Sequence, residues 1–288
     1  MRKLIFILLL ITNWAVAKLN IIVSIQPQLE FVNKIGGDKV DTTLMVLPGK
    51  SPHTYEPKPS QMKAISHSNL YLSIGVEFEK VWLDKFKNQN LNLKVFDISK
   101  DINKTAMVQS AHHNKNDKGL DPHIWTNPIN VKIIAKNIYS TLSQADSNNS
   151  NFYKKNLDSY LVKLDQLDKN ITNILKDVPK GSSVMVFHPA WGYFLRQYHM
   201  KQLPIEIEGK SPKPRELMEI IKKAKKQRIK AIFTQPEFSD KSAQIIAKEL
   251  GIKVIKKSPL AKDWEKNLIE LAKEIKNSSN KNDNKKCQ

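Results

Sequence analysis

The chain has 288 residues, enough for about two domains, and its single cysteine, Cys287, excludes a disulfide within the chain. Lysine and arginine number 47 against 28 aspartates and glutamates, which gives a net charge of +19. A charge of this size can favour binding to nucleic acid or to an anionic membrane. The lysines are spread through every segment, however, and the densest lysine runs lack interleaved aromatic residues. This pattern is typical of a solvated surface and predicts no nucleic-acid partner.

Residues 1–17 have the pattern of a signal peptide. Arg2-Lys3 precedes an apolar run, 4–11, and Ala15-Val16-Ala17 forms a small-x-small cleavage site. The apolar run is shorter than the roughly 20 residues that a membrane span needs, and no cysteine follows the cleavage site to carry a lipid anchor. We therefore expect a mature protein that is exported to the periplasm, without stable membrane insertion.

Residues 18–145 alternate short apolar runs with helix-compatible segments. Strands are predicted to begin at Leu19, Val40, Leu70 and Leu91. Alternation of strands and helices at this pace indicates βαβ units and a mainly parallel sheet. A further helix is predicted to begin at Asn127-Pro128, because asparagine is a good N-cap and proline suits the first helical position. We interpret this region as an N-terminal α/β lobe.

Residues 146–179 are predicted to link two lobes. Apolar residues recur there mostly at spacings of three and four, which predicts one amphipathic helix of about 26 residues, ~39 Å long. A second α/β series occupies 180–276, and the polar, low-complexity segment 277–288 is expected to be disordered. The predicted fold class is thus α/β, with two Rossmann-like lobes that contain parallel sheets and are joined by one long helix.

Three of the seven histidines share a setting. His53 in SPHTYEP, His123 in DPHIW and His188 in FHPAW each have a proline neighbour and lie between regular elements. They are 70 and 65 residues apart, which excludes a local zinc motif, so a shared site would have to form in a cleft between the lobes. Three neutral imidazoles suit zinc in tetrahedral geometry, with a water or a carboxylate as the fourth ligand. Each histidine alone would more often be structural, so the hypothesis concerns the group.

The stretches around these histidines resemble the substrate-binding proteins of metal-ion ABC importers, most closely the zinc-uptake (ZnuA-like) branch. The resemblance covers nearly the whole mature chain, in the right order: LPGKSPHTYEPKPSQMKAI, GLDPHIWTNP, FHPAWGYFLRQY, EGKSPKPRELMEIIKKAK, IFTQPEFSDKSAQIIAKELG and SPLAKDWEKNL. It implies that His53, His123 and His188 are the metal ligands. Manganese-preferring relatives commonly have glutamate at the position of His188, so the resemblance and the ligand chemistry together favour zinc.

The resemblance also implies a role and partners. Members of the family capture a metal ion outside the cytoplasmic membrane and deliver it to a membrane permease driven by an ATPase. The chain has no G-x-x-x-x-G-K-[ST] loop for ATP. The expectation is a monomeric periplasmic binding protein, not an enzyme, with Zn²⁺ as the transported ligand.

Three features depart from the family pattern. Many relatives have an aspartate at the position of Ser258 that can be the fourth ligand. With serine here, we expect water or a nearby carboxylate, with Glu208 and Glu56 as candidates. The histidine-rich acidic loop of many zinc relatives is reduced to AHHNKND, which contains His112-His113 and is not expected to collect metal. Gln235 and Glu237 stand in the reverse of the usual order.

Other hypotheses remain open. The protein could bind manganese or iron instead of zinc, or it could be an adhesin, as some relatives are. Three histidines and a water also suit a zinc hydrolase, although no motif supplies a general base. Separately, Asn103, Asn148 and Asn170 each fit an extended acidic sequon for bacterial N-glycosylation, in a chain where chance matches are frequent.

Overall fold

The structure is a computed structural model that describes residues 18–107, 119–207 and 210–280. The predicted signal peptide, His112-His113, Glu208 and 281–288 lie outside the described residues. None of the described helices is long and apolar enough to cross a membrane.

The first lobe is a parallel sheet covered by helices. Its strands, in the spatial order β2-β1-β3-β4, are β1 (Leu19–Val23), β2 (Val40–Leu44), β3 (Leu70–Ser73) and β4 (Lys94–Asp97). Its helices are α1 (Gln26–Gly36), α2 (Pro59–Ser66), α3 (Glu77–Gln89) and α4 (Pro128–Ala145). The Asn127 side chain accepts a hydrogen bond from the Ile129 N–H at 2.8 Å, so the predicted N-cap is confirmed.

The long helix is α5 (Ser150–Leu175), with 26 residues. Its buried residues all lie at spacings of three or four: Tyr153, Leu157, Tyr160, Leu164, Leu167, Ile171 and Leu175. They form one apolar face, as expected for an amphipathic helix. This face packs against α1 and α4 of the first lobe and against the final helix of the chain, so α5 contacts elements from both halves.

The second lobe repeats the topology of the first. Its strands, in the spatial order β6-β5-β7-β8, are β5 (Ser183–Val186), β6 (Lys201–Pro204), β7 (Ala231–Thr234) and β8 (Lys253–Lys256), all parallel. Its helices are α6 (Gly192–Gln197), α7 (Pro214–Lys226), α8 (Lys241–Leu250) and α9 (Trp264–Asn280). Two parallel α/β lobes and one long helix confirm the predicted fold class.

Helix α9 extends further than the sequence predicted. It continues to Asn280, so the first four residues of the segment 277–288, which was expected to be disordered, are helical. The hydroxyls of Ser278 and Ser279 donate to the backbone carbonyls of Glu274 and Ile275, at 2.7 and 3.0 Å. These bonds one turn back satisfy the serine hydroxyls within the helix.

Hydrogen bonds from two tryptophans connect α9 and the end of the second sheet to the first lobe. The Trp125 Nε1–H donates to the Pro259 carbonyl at 2.8 Å, and the Trp264 Nε1–H donates to the Trp125 carbonyl at 2.8 Å. The Trp264 ring also meets Phe31 of α1 edge to face, with ring centroids 5.0 Å apart. All three rings belong to one apolar core that runs through both lobes. This continuous core opposes a wide opening of the cleft.

Candidate metal centre

The three predicted histidines line one cavity between the lobes. His188 follows β5, at the point where the order of the second sheet reverses, and Glu237 and Phe238 follow β7. The carboxyl ends of parallel strands at such a reversal are the usual ligand sites of α/β folds. Together with Glu77, these residues and the histidines surround a space of about 20 Å³ for the centre of a water-sized sphere. That volume admits a single water or ion and is far below the size of a pocket for an organic substrate.

His123 and His188, one from each lobe, present the same ring atom to each other. Their Nε2 atoms are 3.3 Å apart, and their ring planes are inclined at 73° with centroids 5.0 Å apart. Zinc–nitrogen bonds of 2.0–2.1 Å in a tetrahedron place two ligand nitrogens about 3.3–3.4 Å apart. The observed separation therefore equals the edge of a tetrahedral zinc site.

A carboxylate fixes the opposite nitrogen of each of these two rings. The His123 Nδ1 lies 2.8 Å from Asp121 Oδ1, and the His188 Nδ1 lies 2.7 Å from Glu206 Oε1. All four side chains are buried. A carboxylate beside Nδ1 takes that hydrogen bond, which leaves the lone pair on Nε2, as is usual for histidines that bind metal.

The second lobe holds His188 by its backbone as well. Gln235 Oε1 accepts from the His188 N–H at 3.2 Å, and Gln235 Nε2 donates to the His188 carbonyl at 2.9 Å. The Phe238 ring stacks on the imidazole, with centroids 4.8 Å apart and planes inclined at 24°. The position of His188 is thus fixed from three directions.

His53 completes the cluster from the loop between β2 and α2. Its ring centroid is 5.2 Å from that of His188, and its Nδ1 is 3.5 Å from Glu77 Oε2. Its side chain is 34% exposed, against 7% for His123 and 5% for His188. Burial, followed by the neighbouring His188, lowers the pKa of His53 below its usual value of about 6.5, which favours the neutral form that binds metal.

The arrangement is not yet a closed coordination shell. Within the described ranges, no group of three or more His, Cys, Asp or Glu side chains already has the geometry to hold a metal ion. Of the predicted fourth ligands, Glu56 is exposed and does not line the cavity, and Glu208 lies outside the described residues. The Ser258 hydroxyl donates to Glu237 Oε1, and Glu237 does line the cavity.

Sequence reasoning missed the carboxylates around the histidines. Asp121 could have been found, because it lies two residues before His123 and its Oδ1 also accepts the His123 N–H, at 3.0 Å. Glu206 is 18 residues from His188 and reaches it only because β6 lies beside β5. Glu77 and Gln235 reach the site from other strand ends, so no local spacing reveals them.

The fold and the cavity define a two-lobed α/β protein that presents histidines from both lobes to an ion-sized space. The family of the periplasmic zinc-uptake complex component A, ZnuA, matches residues 21–278, and the chain belongs to this family.

Individual relatives agree with this assignment. A zinc-bound deletion mutant of ZnuA has a TM-score of 0.84 and 39% identity, and the match covers 91% of this chain and 98% of that one. The zinc-binding protein AdcA of Streptococcus pyogenes is 29% identical over 266 residues, which are 85% of this chain and 51% of AdcA. The chain thus spans about half the length of that relative. The manganese ABC transporter substrate-binding lipoprotein PsaA of Streptococcus mitis is 28% identical over 250 residues, 82% of this chain and 78% of PsaA.

Proposed function

We propose that the protein is a periplasmic zinc-binding protein that captures Zn²⁺ through His53, His123 and His188 and delivers it to an ABC permease with its ATPase. Zn²⁺ is the cargo of this protein, which acts as a carrier and not as an enzyme.

The observation that carries the proposal is the pair of facing nitrogens. Since Asp121 and Glu206 occupy the Nδ1 hydrogens, neutral His123 and His188 would direct two Nε2 lone pairs at each other across 3.3 Å. Two such lone pairs repel each other in a buried site unless a cation lies between them. A zinc ion at that place would satisfy both and would draw in the more exposed His53 as a third nitrogen ligand.

The donors and the size of the cavity support zinc as the cargo. Nitrogen ligands suit zinc better than manganese, which prefers carboxylate and other oxygen donors. A space of about 20 Å³ holds an ion and is small for the ester or phosphate substrate of a hydrolase. Family membership supports delivery to a permease, because the family model describes the component A of a zinc-uptake complex.

The test is a metal titration of the mature protein, purified without added metal. We expect one Zn²⁺ per chain by competition with a chromophoric chelator, and a higher melting temperature with zinc than with manganese. A ligand at a thousandfold excess over its dissociation constant stabilises the folded state by about 4 kcal/mol. His188→Ala should abolish tight binding, whereas His67→Ala, at the end of α2 and away from the cavity, should leave it unchanged.

Two results would contradict the proposal. A large thermal shift with manganese and none with zinc would assign the site to another metal. Unchanged zinc affinity in His188→Ala, with the melting temperature of the metal-free protein preserved, would place the bound zinc elsewhere in the chain.

A further inference from the structure

We propose that the Glu237 carboxylate is the fourth donor to the metal, and that it closes the shell in place of water. This inference deepens the proposed function and rests on it.

The carboxylates at the site differ in what they face. Asp121 and Glu206 each bind the Nδ1 of a histidine and do not line the cavity. Glu77 lines it, but its Oε2 lies on the Nδ1 side of His53, at 3.5 Å. Each histidine therefore has one carboxylate on the Nδ1 side of its ring. Glu237 is the remaining carboxylate residue among the described residues that line the cavity, and its hydrogen-bond partner is Ser258 instead of a histidine.

The Glu237 side chain is held with one oxygen open. Oε1 accepts the hydroxyl hydrogen of Ser258. Ser258 is itself fixed, because its Oγ accepts from the Leu260 N–H at 3.0 Å and its carbonyl accepts from Asn267 Nδ2 at 2.8 Å. Oε2 is buried and has no hydrogen-bond partner among the described residues. A buried carboxylate oxygen without a partner is costly, and a cation in the adjoining cavity would supply one.

The neighbours of Glu237 place this residue beside the histidines. Phe238, the next residue, stacks on the His188 ring at 4.8 Å and lies 6.4 Å from the His53 ring, between centroids. The turn that contains Pro259 and Leu260 forms the adjoining wall of the cavity and also positions Ser258. The loops that pack against the proposed ligand histidines thus also contain Glu237 and its partner Ser258. Three nitrogens and one oxygen complete the tetrahedral set that zinc takes in closed sites.

The test compares carboxylate variants by zinc competition with a chelator. Glu237→Gln can still accept the Ser258 hydroxyl, so it removes only the charged donor. We expect its zinc affinity to fall by about 10- to 100-fold or more. Losses of this size occur even for residues that only hydrogen-bond to a metal ligand. Glu77→Gln, which changes the other cavity-lining carboxylate, is the matched control and should lose less. In the Co²⁺-loaded protein, Glu237→Gln should shift the visible absorption bands, because one ligand is replaced, while Glu77→Gln should not.

The outcomes separate this inference from the proposed function. If Glu237→Gln binds zinc as the wild type does, with an unchanged Co²⁺ spectrum, while His188→Ala loses binding, the fourth donor is not Glu237 and the carrier function stands. If the larger loss and the spectral shift belong to Glu77→Gln, the inference is equally overturned. If the wild type itself does not bind zinc, both the proposed function and this inference are refuted.

Discussion

Glu79 of α3 should make the stability of the first lobe depend on pH. Its side chain is 4% exposed and its carboxylate accepts hydrogen bonds from the Ser24 hydroxyl and from the backbone N–H groups of Ile74, at 2.9 Å, and Gly75, at 2.6 Å. Burial outweighs these bonds and raises the pKa of Glu79 from 4.5 to about 7. The folded protein therefore favours the protonated carboxyl.

The sign and size of the effect follow from this difference in pKa. Each pKa unit corresponds to about 1.4 kcal/mol, so ionising Glu79 inside the folded protein costs about 3 kcal/mol more than in the unfolded chain. The stabilisation that the protonated carboxyl provides is fully present below pH 4.5 and is lost as the pH rises through 7. Glu79→Gln stays neutral throughout this range, and its amide can accept from the backbone and donate to Ser24.

The measurement is urea unfolding of metal-free wild type and Glu79→Gln between pH 4.5 and pH 8. We expect the free energy of unfolding of the variant, relative to wild type, to rise by about 3 kcal/mol across this range. Glu219→Gln, which removes an exposed carboxylate of α7, controls for the loss of one negative charge. If the free energies of unfolding of wild type and Glu79→Gln change in parallel with pH, the buried carboxyl is not protonated preferentially in the folded state.

Three further predictions concern the site and the contact between the lobes. Glu206→Gln should weaken zinc binding by about 10- to 100-fold, because the carboxylate orients His188; a chelator competition that shows less than a threefold loss would contradict this role. Zinc affinity should fall as the solution becomes more acidic, because protons compete with zinc for the histidine nitrogens, although the lowered pKa of His53 delays its own protonation. The same competition across pH 5 to 8 measures this, and tighter binding in acid would refute it. Trp264→Phe keeps a ring against Phe31 but removes the donor to the Trp125 carbonyl, so the free energy of unfolding measured in urea should fall by about 1–2 kcal/mol. An unchanged midpoint would mean that this bond does not stabilise the contact.

Much of the fold was predictable from local patterns. Apolar runs located the strands of the first lobe only in part: β1, β2 and β3 begin where predicted, whereas β4 begins at Lys94, three residues after the predicted Leu91, whose side chain is exposed. The length of α5 followed from its apolar spacing, because one face packs against helices along its whole length. The end of α9 did not follow, because its last residues, Asn277 to Asn280, are polar and have no apolar pattern that predicts a helix.

The candidate site was predictable only in part. The histidines were singled out because proline-flanked loops between elements tend to lie at strand ends, and the structure brings all three to one cavity. The side chains that orient them come from other strands, so their distances in sequence carry no information. The reversed order of Gln235 and Glu237 could be read from the chain, but its effect could not. The structure shows that the amide holds the backbone of His188 while the carboxylate bonds to Ser258.

The unequal exposure of the three histidines has a consequence for how fast the ion moves. His123 and His188 are held by buried carboxylates, whereas His53 stands on a loop with about a third of its side chain in solvent. The core is continuous through both lobes and opposes a wide opening of the cleft, which favours release past the His53 loop. Displacement of the loop that contains Pro52 and His53 would remove one of the proposed ligands and would open one wall of the cavity. We therefore expect the lifetime of the bound ion to depend on this loop, and a membrane partner that draws the loop aside would speed release without separating the lobes.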